Sequence, residues 1–253
     1  MKLGILKESS GENRVSMLPE GVVSLKDLNI EVLVEKGAGT AAFASDSQYT
    51  EAGAKAVSRD DVINQSDLLL TVQSPIGEDI KKMNKGQVLV AALNPFFNDT
   101  LVNELANAGV TSFSLDVIPR TTRAQSMDIL SSQATVAGYK AILDAANHFG
   151  QFLPMFMSAA GTIKPAKLLV LGAGVAGLQA IATARKLGAV VEVFDVRSAV
   201  KEEVESLGGK FIEVEGAKDE RSAGGYAVEQ TEEFKKKQQQ AIHDHSLKSD
   251  IVI

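Results

Sequence analysis

Short apolar runs alternate with helix-length amphipathic segments along the first half of the 253-residue chain. The runs "KLGIL", "EVLVE", "DLLLTV", "QVLVAAL" and "VTSFSL" begin at Lys2, Glu31, Asp67, Gln87 and Val110. Each reads as a strand of four to seven residues. Between them, Pro19 to Leu28, Ile76 to Met83 and Asn98 to Ala108 read as helices, the first with proline near its start, where a missing N–H costs least. Strand and helix alternating at this interval imply a parallel sheet with helices on its faces.

The pattern changes at "RTTRAQSMDILSSQ", residues 120 to 133, where two arginines, glutamines, an aspartate and several hydroxyls crowd into one junction. A polar turn with Ser126 or Asp128 as N-cap explains one or two of these groups and leaves the rest idle. A long helix follows, with Leu130, Ala134, Ala137, Ala141 and Ala145 forming a narrow small-residue stripe suited to close packing. "FLPMFMSAAGTIKP", interrupted by Pro154 and Pro165, reads as a domain joint, with Met155 and Met157 assigned to core or dimer packing.

After the joint the alternation restarts. "AKLLVLGAGVAGLQAIATARKLGAVVEVFDVR" gives a strand, a glycine turn, a helix and a second strand; "KFIEVE" and "DIVI" give two more strands. The chain thus divides into two α/β domains, residues 1 to 135 and 136 to 253. A dinucleotide fold usually has six strands, and only about four follow residue 166, so the second domain is expected to be truncated, as a piece of a longer protein. Residues 216 to 240 are charged and contain glycine, which predicts a mobile loop leading into a solvated helix.

Within the second domain, Gly172, Gly174 and Gly177 have the G-x-G-x-x-G spacing, after an apolar strand and before a helix. Asp195 follows Gly177 by 18 residues, at the end of the next strand. The first glycine permits the tight turn, the second lets backbone approach a pyrophosphate, and the third lets helix and strand pack closely; the helix N-terminus offers N–H groups and a positive dipole end. Asp195 can accept hydrogen bonds from the adenosine ribose, and its charge repels a 2′-phosphate, so NAD(H) is favoured over NADP(H). Arg197, two residues on, partly offsets that selectivity.

Composition narrows the function classes. A formal net charge of −6 and pI near 5.2 repel polyanions and argue against nucleic-acid binding. The absence of cysteine excludes disulfides, thiolate metal sites and a cysteine nucleophile. No window offers the roughly 20 apolar residues of a membrane span. His243 and His245 lie two apart in a helical, charged segment and read as a solvated pair, not a metal site. "EEFKKKQQQ" reads as an exposed helix face.

"RTTRAQSMDILSSQ", the glycine-turn segment, "KEEVESLGGKFIEVE" and "AGGYA" together resemble the NAD(H)-binding alpha component of the proton-translocating NAD(P) transhydrogenases. The similarity runs from "KE…ENRV…LPE" at residues 7 to 20 through "SDIVI" at the end. The resemblance implies two Rossmann-like, doubly wound parallel-sheet domains separated by a cleft. It also implies a homodimer that docks on the NADP(H)-binding domain of a beta subunit, at the inner face of the cell membrane through partner subunits that include a membrane component. It assigns Arg120, Gln125, Asp128 and Ser131, with the backbone at Thr121, Thr122 and Val175, to the nicotinamide end of bound NAD(H). Asp195, Val196 and Arg197 fall on the adenosine side, and Gly225 and Tyr226 on a loop that closes over the nucleotide. No metal is implied.

Two other readings share the scaffold. Alanine dehydrogenases are similar around "KE…ENRV", but their chemistry needs a lysine and a histidine in the first domain to serve a carboxylate and a proton. Here "TVQSP" has Gln73 where that pattern has lysine, and no histidine precedes His148. Transfer from NADH to NADP⁺ moves a hydride alone and needs neither group. Arg14 fits a remnant of the dehydrogenase carboxylate site or a structural ion pair, and Lys7 and Glu8 fit a cleft floor. The third reading is an NAD(H)-binding module without turnover.

Overall fold

The computed structural model of the protein describes residues 1–119, 121–214 and 231–253, which form two compact units, Met1–Ile129 and Leu130–Ile253. In the first, β1 (Lys2–Ile5), α1 (Pro19–Leu25), β2 (Glu31–Glu35), α2 (Asp46–Ala52), β3 (Lys55–Val57) and α3 (Arg59–Gln65) come in succession. Then follow β4 (Leu68–Gln73), α4 (Gly77–Lys82), β5 (Val88–Ala92), α5 (Asp99–Ala108) and β6 (Thr111–Ser114). The six strands pair in parallel in the order β3-β2-β1-β4-β5-β6, with Lys2 opposite Glu31 and Leu3 opposite both Val32 and Leu68. The order reverses between β1 and β4, so the first unit is a doubly wound sheet with its topological switch point there.

Burial explains why these segments became strands. Val32, Leu33 and Val34 of β2 are all buried, as expected for a strand covered on both faces. One sheet face packs Leu33, Leu69, Leu89 and Ala91 against Val62, Ile80 and Leu105 of the helices; the other packs Leu3, Ile5, Val32 and Val34 against Val22 and Tyr49. Arg59 ties elements together from the flank: its Nε and Nη2 donate to Asp79 at 3.0 and 2.7 Å, and its Nη1 donates to Glu35 at 2.6 Å and to the Lys7 carbonyl at 3.0 Å.

Some elements differ from the sequence reading. The first helix stops at Leu25, and Lys26–Leu28 tightens into a single 3₁₀ turn closed by Asn29 at φ 54°. The elements α2, β3 and α3, which apolar periodicity did not single out, are short. The helix starts among them are set by side-chain caps: Ser45 with Gln48 forms a capping box on α2, and Ser58 caps α3 through the Asp61 N–H.

The second unit opens with α6 (Ile129–His148), of which only Ile129 falls in the first unit. Its parallel sheet has the order β11-β10-β9-β12, built from β9 (Lys167–Leu171), β10 (Val190–Phe194), β11 (Lys210–Phe211) and β12 (Ile251–Val252). The helices α7 (Val175–Lys186), α8 (Lys201–Ser206) and α9 (Glu232–Ser246) accompany it. Leu168, Val170, Val191 and Val193 pack on Ala180, Ile181 and Ala184 of α7 and on Ile142 of α6. The core-facing side of α6 is not the alanine stripe expected from sequence. Ala134, Ala141 and Ala145 are half-buried and Ala137 is exposed, whereas Gly138 and Ile142 are buried. Gly138 lies against the start of α7, where an added Cβ would overlap the Ala176 carbonyl oxygen.

The segment read as a joint folds as an antiparallel hairpin of β7 (Phe156–Ser158) and β8 (Gly161–Ile163). Met155 and Met157 are 57% and 69% exposed, so neither belongs to the core of the chain. The hairpin exposes both faces, and an unburied strand has no reason to show apolar alternation.

Candidate functional site

At the carboxyl ends of β9 and β10 the three glycines of the fingerprint meet three different constraints. Gly172 sits at φ +107°, a left-handed conformation that side chains resist, and its N–H donates to the Phe194 carbonyl at 2.7 Å. Gly177 faces back onto the turn, where a Cβ would overlap the Gly172 carbonyl oxygen. Gly174 has neither restriction: it caps α7 at φ −76°, and a Cβ there would meet nothing within 4 Å. The chain itself therefore places no steric demand for glycine there, and the backbone at Gly174 stays open to approach from outside.

The head of α7 is chemically open. Its first internal bond runs from the Leu178 N–H to the Gly174 carbonyl at 2.8 Å. Among the described residues, the N–H groups of Val175, Ala176 and Gly177 have no acceptor. No acidic residue lies in the first turn of α7, and Val175 is exposed. Unspent donors with the positive end of the helix dipole form an anion-binding arrangement that fits a pyrophosphate.

Asp195, just past β10, borders this turn. Its side chain is 5% exposed. Oδ2 accepts the Ala173 N–H at 2.6 Å and Arg197 Nη2 at 2.9 Å, and Oδ1 accepts the Arg197 N–H at 2.8 Å and Nε at 3.0 Å. Burial alone would raise this carboxyl, but the hydrogen bonds from Arg197 and Ala173 outweigh it and hold the group below its ordinary value. Asp195 is therefore ionised and braces the glycine turn as well as facing the site. Beside it opens a cavity of about 330 Å³, lined by Phe194, Val196, Ile212, Val214 and Phe234, among others. A mostly apolar slot, with Ser198 and the Lys201–Glu213 ion pair also on its wall, next to a carboxylate suits a flat heteroaromatic ring attached to a sugar.

Sequence reasoning found the glycines, Asp195, Val196 and Arg197, which the fold brings together at this edge, and missed most of the slot. Phe234 lies in "EEFKKKQQQ", read as an exposed face; its neighbours are indeed mostly exposed, but Phe234 itself is 4% exposed. The usable signal was a lone aromatic three residues after Thr231, whose side chain accepts the Phe234 N–H and caps α9. His245 also differs from the solvated pair expected: its Nδ1 lies 2.6 Å from Glu192 Oε2. Among the described residues, no group of three metal-ligating side chains exists.

The polar run is a second cluster, described on its own. Thr122–Met127 forms a six-residue 3₁₀ helix; the Ala124 N–H donates to the Thr121 carbonyl at 3.0 Å and the Asp128 N–H to the Gln125 carbonyl at 3.3 Å. Only Ala124 is buried; Thr121, Thr122 and Gln125 are exposed and Asp128 is half-buried. Ser131 falls in the first turn of α6. Arg120, Gly225 and Tyr226 lie outside the described residues.

At the switch point of the first unit, Glu8 accepts the N–H groups of Val72 and Gln73 at 2.6 and 3.1 Å. Arg14 donates Nε and Nη2 to the two oxygens of Glu12 at 2.9 and 2.6 Å, and Gln73 Nε2 approaches Glu12 at 3.4 Å. That hydrogen bonding, above all from the Arg14 side chain, holds the Glu12 carboxyl down at about 2. Arg14 is thus an ion-pair partner within the chain, and Gln73 brings an amide that does not titrate.

Comparison with known proteins finds relatives of both halves of the chain. Family models for "Alanine dehydrogenase/PNT", N-terminal and C-terminal domains, match residues 4–137 and 141–253. The chain is 47% identical, over its whole length and 68% of the relative's, to an NAD(P) transhydrogenase subunit alpha protein of Rhodospirillum rubrum. An alanine dehydrogenase from Mycolicibacterium smegmatis is 31% identical over 84% of this chain and 58% of its own. The solved transhydrogenase from Sinorhizobium meliloti superposes with a TM-score of 0.82 at 48% identity, covering 84% of this chain and 64% of that one. The chain therefore spans between 58% and 68% of the length of these relatives.

Proposed function

The chain belongs to the alanine dehydrogenase/PNT family, and from that premise we propose that it is the NAD(H)-binding component of a proton-pumping transhydrogenase. The observation that carries the reading is the open head of α7: a glycine turn, unspent N–H groups of Val175, Ala176 and Gly177, and the Asp195 carboxylate beside an apolar slot. The N–H groups hold the pyrophosphate, Asp195 receives the adenosine ribose, and the slot of Val196, Ile212 and Phe234 takes the adenine. Bound NADH supplies the hydride; NADP⁺ sits on a partner subunit and accepts it.

The chain's own task in the transfer is to bind and orient. A hydride moving from one nicotinamide to another needs two rings held close with water excluded, and no proton carrier. The residues of the first unit fit that demand: Gln73 replaces an ionisable group, and Arg14 is held by Glu12. Arg120, Thr121, Thr122, Gln125, Asp128 and Ser131 are assigned to the nicotinamide end, with Gln125 directed at the second nucleotide. The chain acts as a homodimer at the inner face of the membrane, held there by the beta subunit and a membrane component. Among its own described helices, none is long and apolar enough to cross a membrane.

The reading is tested by mixing the protein with an NADP(H)-binding partner subunit and following transfer from NADH to an NADP⁺ analogue. Transfer at a rate that Asp128→Asn lowers more than it weakens NADH binding is the expected result. NADH binding without transfer would leave a binding module, and alanine-dependent NADH formation by the protein alone would replace the reading with a dehydrogenase.

A further inference from the structure

Each carboxylate oxygen has room for about two hydrogen bonds, and in Asp195 the chain itself fills both places on both oxygens. Two of the four donors are backbone N–H groups, from Ala173 in the glycine turn and from Arg197, and these are fixed by the fold. The other two are the Nε and Nη2 of the Arg197 side chain, which is 28% exposed against 5% for Asp195. A ribose that donates its two hydroxyls to this carboxylate must therefore take the places that the guanidinium occupies.

We propose that Arg197 is a displaceable latch that sets the nucleotide specificity of the site. This rests on the reading of the second unit as a dinucleotide site. In the free chain the guanidinium fork stands in for the two ribose hydroxyls. A nucleotide with a free 2′-hydroxyl displaces it and inherits the Asp195 carboxylate. A nucleotide with a 2′-phosphate meets the guanidinium beside the carboxylate, and the positive charge offsets the repulsion from Asp195. The latch thus weakens binding of NADH, because a charge-assisted pair must open, and strengthens binding of NADPH. It narrows a preference that Asp195 alone would make steep.

Removing the latch moves the two nucleotides in opposite directions. An arginine that only braces the strand end would change both affinities alike, and one that stacks on adenine would lower both. The experiment compares the full chain with Arg197→Met and Arg197→Lys, measuring dissociation constants for NADH and NADPH by equilibrium dialysis, with circular dichroism to verify folding. In Arg197→Met, NADH binds tighter, NADPH binds weaker, and the NADH/NADPH affinity ratio rises roughly tenfold. Arg197→Lys keeps the charge but loses the fork, so NADPH affinity stays within about twofold of the parent while NADH tightens. The lysine arm stands by itself if the methionine variant does not fold. An unchanged ratio, or both nucleotides moving in the same direction, overturns the latch while leaving the NAD(H) reading intact. A parent protein that binds neither nucleotide overturns both.

Discussion

Gly174 and Gly177 lie three positions apart, and the chain itself constrains only the second. A methyl group at Gly177 would collide with the Gly172 carbonyl oxygen, while one at Gly174 would enter open space. Gly177→Ala should therefore destabilise the second unit by about 1–3 kcal/mol, the usual range for forced overpacking, seen as a lower thermal midpoint without ligand. Gly174→Ala should lose less than about 1 kcal/mol, the difference between glycine and alanine at an N-cap, yet weaken NADH binding severalfold. Equal stability losses in the two variants would refute this division. The motif's spacing was legible in the sequence, because glycine positions are written there. The division of labour was not, because it depends on which carbonyl the turn folds against.

Glu12 gives a prediction in pH. Its carboxyl is held at about 2 by the Arg14 side chain, below the ordinary value of 4.5. A group whose folded value is depressed contributes stability that is present above the unfolded value and lost as pH falls through the folded one. The stability difference between the parent and Glu12→Gln should thus be constant above about pH 5. It should shrink between pH 4.5 and 2, and vanish below that in denaturant titrations. A difference that persists at the low end of that window would mean that Glu12 acts through packing, not charge. The sequence left Arg14 open between a carboxylate site and an ion pair; only three-dimensional proximity could choose, since its partner is two residues away in a loop.

Among elements, α6 shows how far periodicity reaches. The stripe of alanines correctly marked a long helix, Ile129–His148, but the helix turns Gly138 and Ile142 to its core. Helix crossings are fixed by whichever residue permits the closest approach, and at Gly138 that approach is to the Ala176 backbone at the head of α7. Gly138→Ala should push the two helices apart, lowering the stability of the second unit by about 1–3 kcal/mol. It should also weaken NADH binding, because Ala176 belongs to the turn proposed to hold the pyrophosphate. Reduced stability with unchanged binding would show that the crossing is structural only. Strands buried on both faces were the easiest elements to read, as β2 and β9 illustrate. The hairpin of β7 and β8 and the short helices α2 and α3 were not, since exposed strands need no alternation and seven-residue helices show too little of a period.

For the whole molecule, the consequence lies in what the chain lacks. Its three histidines are His148, His243 and His245, so residues 1 to 147 contain no imidazole. Gln73 and the Glu12-held Arg14 stand at the switch point of the first unit, where a proton-handling pair would be needed for amino-acid chemistry. If the reaction is hydride transfer alone, the first turnover should respond to the mass of the hydride and be indifferent to solvent protons. NADH carrying deuterium at the transferred position of C4 should slow the first turnover on a partner subunit loaded with an NADP⁺ analogue. Replacing water by D₂O should leave that rate unchanged, and the rate should stay flat between about pH 6 and 8, where a general acid or base would titrate. Steady-state turnover is the wrong observable, because nucleotide release can limit it; a rapid-mixing measurement isolates the chemical step. A solvent isotope effect on that first turnover, or a bell-shaped pH profile, would require a proton carrier among the chain's carboxylates and would overturn the assignment of a binding-and-orienting role to it.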